Sequence, residues 1–168
     1  MPIKESEMQK LAHLTAELNT KSDELNTLIQ ALDTRLTSMN AGVTVWLDCP
    51  VLAAGKFMGD LPDIGLDWNY PGHLKEGYNL GYARVGDEWH IAVQYTVWEV
   101  TTDEDGDEQI VEHHIDYPQT LLSASRLVRL EAAAVLDVLV REIMKRVEIY
   151  LSDIERTREA LEGENDNE

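Results

Sequence analysis

The chain has 168 residues, 43% of them hydrophobic, enough to build one domain around a real core. Its 32 acids and 14 bases give a net charge of −18, which argues against direct binding to nucleic acid and against adhesion to an anionic membrane, since both need a positive footprint. A lone cysteine, Cys49, rules out an internal disulfide framework and points to a reducing, cytoplasmic setting.

The charge is uneven along the chain. Residues 1–40 carry four bases and six acids, residues 41–120 three bases and 15 acids, and residues 121–168 seven bases and 11 acids. Between Arg84 and Arg126 there are ten acids and no lysine or arginine. The acidity belongs to the middle of the chain.

Residues 3–40 predict one long helix, with Pro2 at its start and Asn40 and Gly42 as a stop signal. Leu11, Leu18, Leu25 and Leu32 recur every seven residues, with Met39 in step. That is a helical seam suited to self-association. Two second columns are available: Leu14, Lys21, Leu28 and Arg35, or the less charged Thr15, Ser22, Ile29 and Leu36. The seam does not name its partner, which is either the rest of the chain or a second copy.

Residues 43–117 carry strand signals. Val43, Val45 and Leu47 alternate with polar neighbours. Gly86-Asp87 marks a tight turn that pairs Tyr82 with Ile91, Leu80 with Val93 and Tyr78 with Tyr95. For the second hairpin, an odd loop of three or five residues around Gly106 keeps acids off the apolar face and pairs Val97 with Ile115 and Tyr95 with Tyr117. The apolar face then comprises Tyr78, Leu80, Tyr82, Trp89, Ile91, Val93, Tyr95, Val97, Val111, Ile115 and Tyr117, with Thr96 turned outward. Residues 48–77, rich in proline and glycine, read as a long insert carrying Trp68 and Tyr70, residue types common at interfaces.

After Pro118, helical periodicity runs from about residue 123 to Leu161, with Val128, Ala132, Val135, Leu139, Ile143, Val147, Tyr150 and Ile154 on one stripe. The segment Leu127 to Leu151 is broken by charges and does not read as a membrane span. Gly163 is read as the stop. The fold class expected is α+β. Residues 1–41 are a coiled-coil-like helix, 42–118 an acidic antiparallel sheet with the 48–77 insert, 119–162 a helix packed on the sheet, and 163–168 a disordered tail. All fold as one cooperative domain.

Chemical motifs are weak. Asp103-Glu-Asp-Gly-Asp-Glu resembles a calcium loop only in part, because Thr101 and Glu108 stand where aspartate and an apolar residue belong. Glu112, His114 and Asp116 alternate on one strand and suit a divalent metal, but the pattern is commoner on plain surface. Cys49 has no base placed by spacing, and Ala54-Gly55-Lys56 lacks the rest of a phosphate loop. No catalytic residue, metal or cofactor is expected. The chain reads as a non-enzymatic interaction or regulatory subunit, a homo-oligomer, most simply a dimer, built on Leu11, Leu18, Leu25 and Leu32. A protein partner with a basic surface would meet Trp68, Tyr70, Asp103, Glu104, Asp105, Asp107 and Glu108. The alternative is an acidic mimic of nucleic acid that occupies a basic site on another protein.

Overall fold

The computed structural model of the chain describes residues 4–49, 51–56, 73–102 and 108–165. Helix α1 runs Glu5–Met39. Glu7 reaches back to accept the Lys4 backbone N–H at 3.0 Å, which satisfies one orphan donor of the first turn. At the other end Asn40 turns left-handed at φ 45°, and its N–H donates to the Thr37 carbonyl at 3.1 Å. Asparagine tolerates that conformation, and Gly42 at φ 66° completes the reversal.

The sheet is antiparallel and open, with six strands among the described residues: β1 (Val45–Trp46), β2 (Leu52–Lys56), β3 (His73–Val85), β4 (Glu88–Thr102), β5 (Glu108–Ile115) and β6 (Gln119–Thr120). The order is β1-β3-β4-β5, with β2 also on β3 and β6 also on β4. A turn at Leu121–Ser123 leads to α2 (Arg126–Ala133) and α3 (Leu136–Asn165). The fold class is α+β, as the sequence predicts.

The first hairpin has the expected register: Tyr82 faces Ile91, Leu80 faces Val93 and Tyr78 faces Tyr95. The second departs from expectation. Thr102 faces Glu108, which leaves an odd number of residues, five, between the paired ends; residues 103–107 themselves lie outside the described residues. Pairing then slips by one residue between Val97 and Trp98, which face His114 and Glu112 and leave His113 unmatched. Val97 therefore faces His114 and not Ile115. Ile115 faces Thr96, and Tyr117 is 94% exposed. A one-residue slip exchanges the two faces of a strand, and that removes Ile115 and Tyr117 from the core.

One face of the sheet is covered by all three helices. Ile29 and Leu36 of α1, Val128 and Ala132 of α2, and Leu139 and Ile143 of α3 join Leu80, Tyr82, Ile91 and Val93 in the core. The C-terminal helix is two helices, not one. Ala134 and Val135 donate to the carbonyls of Glu131 and Ala132, tightening the chain to i→i+3 bonds and re-aiming it. No proline or glycine marks that break. Helix α3 also passes Gly163 and ends at Asn165. The outer face is less open than expected. Thr96 is only 3% exposed and accepts from the Asn79 amide at 3.4 Å. Gly81 is required here: a Cβ on it would collide with the Trp46 ring and the Val45 carbonyl, because β1 and its tryptophan lie directly against β3.

Candidate interaction surfaces

The α1 seam divides into two halves. Thr15, Ser22, Ile29 and Leu36 form its second column, and from Ser22 onward that column is buried against the chain's own sheet. Leu25 and Leu32 pack on the same core. Four polar ties from three residues fix this half of the helix. Asp33 Oδ1 accepts the Ile91 N–H at 2.6 Å and its Oδ2 meets His90 Nδ1 at 2.9 Å. The Leu36 carbonyl accepts the Tyr82 hydroxyl at 3.1 Å, and the Thr37 hydroxyl donates to the Trp89 carbonyl at 2.6 Å. Burial raises the Tyr82 phenol above its ordinary range.

Toward the N-terminus the same periodicity continues without cover. Met8, Leu11, Leu14 and Leu18 are exposed, Leu11 by 55% and Leu18 by 51%. The last anchor point is Asn19, whose side-chain oxygen accepts from Arg126 at 2.8 Å. The structure thus packs the half-buried Leu25 and Leu32 against the chain's own core and leaves Leu11 and Leu18 exposed. Helix α3 behaves likewise. Its stripe is buried through Ile143, while Tyr150, Leu151, Ile154 and Leu161 face solvent.

Between the C-terminal end of α1 and the middle of α3 lies an apolar groove of about 650 Å³. Leu32, Leu36, Met39, Val140, Met144 and Val147 line it, and Arg35 and Glu148 stand at its rim. Sequence reasoning missed this groove.

A smaller recess of about 270 Å³ opens on the outer sheet face, lined by Asp48, Val51, Asn79, Thr96, Trp98 and Glu112. Its charged groups are both carboxylates, beside an indole. That chemistry favours a cationic side chain over an anionic one. The expected contact residues Trp68, Tyr70, Asp103, Glu104, Asp105 and Asp107 lie outside the described residues, and Glu108 opens β5.

The bulge separates the supposed metal ligands. Glu112 pairs with Trp98, whereas His114 pairs with Val97 on the other side and its Nε2 meets Asp116 Oδ1 at 2.6 Å. Among the described residues no three His, Cys, Asp or Glu side chains converge on a point that could hold a metal. Cys49 is exposed, and His90 is engaged by Asp33. None of the described helices is long and apolar enough to cross a membrane. Comparison with protein-family models, with curated proteins and with solved structures finds no match for this chain.

Proposed function

We propose that the protein is a self-associating, non-enzymatic interaction subunit that presents an acidic sheet surface to a basic protein partner. The observation that carries the reading is a pair of uncovered stripes: Met8, Leu11, Leu14 and Leu18 on α1, and Tyr150, Leu151, Ile154 and Leu161 on α3. Exposed apolar side chains repeated along a helix face in this way mark an interface more often than a solvated face.

Charge favours a second copy as the occupant. Two chains of −18 repel, and the repulsion is least where acids and bases balance. Residues 4–21 carry three of each. The sheet segment, by contrast, holds 15 acids against three bases and suits an unlike, basic partner.

Light scattering at micromolar concentration and physiological salt tests self-association. The expected mass is a multiple of the 19.0 kDa chain; a strictly monomeric mass contradicts the reading. For the acidic surface, neutralise Asp103, Glu104, Asp105, Asp107 and Glu108, and in a second variant five helix acids. Binding to immobilised polylysine at low salt is expected to weaken more in the first variant. Equal weakening removes the recognition role from the sheet.

A further inference from the structure

One wall of the groove and the uncovered ridge lie on the same helix, and the Leu11–Leu18 part of the ridge matches the groove in length. Leu11 to Leu18 on the ridge, and Leu32 to Met39 and Val140 to Val147 on the groove walls, each span seven residues, ~10 Å at the rise of an α-helix, and Met8 carries the ridge one turn further. An amphipathic helix seats in such a groove through anchors three, four and seven residues apart. Leu11, Leu14 and Leu18 have that spacing, and Met8 extends the ridge. The groove carries one charge of each sign at its rim, Arg35 and Glu148. The ridge is flanked by Glu7 at one end and Lys21 at the other.

We infer that the N-terminal part of α1 of each copy docks in the groove between α1 and α3 of a second copy, in a reciprocal two-fold dimer. The inference rests on the self-association proposed above and adds which surfaces meet. Ridge and groove wall lie about 22 residues apart on one helix, about 33 Å. A two-fold axis between them therefore runs the two α1 helices antiparallel and satisfies both contacts at once. The exchange is isologous and closes at two copies.

The competing arrangement pairs the C-terminal ends of two α3 helices. From Ser152 to Asn165 that end carries five acids and two bases, so pairing it with itself sets like charge against like. The α1 ridge is neutral and meets no such penalty.

Disulfide trapping between differently labelled chains tests the arrangement. In a Cys49→Ser background, prepare Leu11→Cys, Leu14→Cys and Leu18→Cys, and mix each with a Met144→Cys chain. Leu11 and Met144 are both more than half exposed, so these changes leave the core intact; circular dichroism checks this. Gentle oxidation is expected to link at least one ridge variant to Met144→Cys, and not to link Ser152→Cys chains to each other. If Ser152→Cys chains link, or ridge variants link only to themselves, while light scattering still shows a multiple of the chain mass, the docking is wrong and self-association stands. A monomeric mass removes both.

Discussion

Asp33 shows how a single side chain fixes the position of a long helix. It is a carboxylate only 5% exposed, and it accepts from the Ile91 backbone and from His90. Its replacement by alanine leaves a backbone N–H without its acceptor, at a cost of about 1–3 kcal/mol. Asparagine keeps an acceptor and is expected to cost less. Urea unfolding at neutral pH ranks the two, and equal stability of Asp33→Ala and the parent rules out the tie. Tyr95 makes a comparable tie within the sheet, from β4 to Glu76 of β3. Burial first, and then its 2.6 Å bond to Glu76, raise its phenol well above the ordinary value near 10. A pKa raised on folding contributes stability that is whole below about pH 10 and is lost as pH climbs toward the folded value. Tyr95→Phe is therefore expected to flatten the loss of stability between neutral pH and pH 11, read by denaturant titration along a pH series. An unchanged pH profile contradicts this.

At the level of elements, α1 carries two different jobs on one periodicity. Ile29 is 1% exposed, so Ile29→Ala is expected to cost about 2–5 kcal/mol, as other buried aliphatic truncations do. Leu11→Ala is expected to leave the unfolding of the domain within about 0.5 kcal/mol, the range of surface changes. Similar costs at both positions, by urea unfolding at a concentration where copies dissociate, contradict the division of the helix. Gly81→Ala is expected to destabilise by about 1–3 kcal/mol, the usual cost of overpacking, because Trp46 and β1 fill the space. Much of this architecture is legible in the residues. The heptad spacing marks α1, Asn40 and Gly42 mark its end, and the matched apolar pairs on either side of Gly86-Asp87 mark the first register. The rest depends on three-dimensional neighbours. Nothing in Glu112-His113-His114 announces the bulge that lies opposite Val97 and Trp98. The break at Ala134-Val135 sits in a run of good helix formers, and a change of packing partner overrides their propensity. Asp33 reads as a solvated helix charge until β4 is laid beside it.

For the whole molecule, the separation of charge from apolar surface is the organising feature. The sheet region holds most of the negative charge, whereas the uncovered leucines lie on a charge-balanced helix end. Self-association through the helices should accordingly strengthen or hold steady as salt screens the repulsion between copies, and contact with a basic partner should weaken. The most direct measurement is sedimentation equilibrium of the parent beside a Leu11→Glu, Leu18→Glu variant. The parent is expected to sediment as a multiple of 19.0 kDa and the variant as a single 19.0 kDa chain with the same helical circular dichroism. A parent that stays monomeric, or a variant whose mass equals that of an associated parent, contradicts the account.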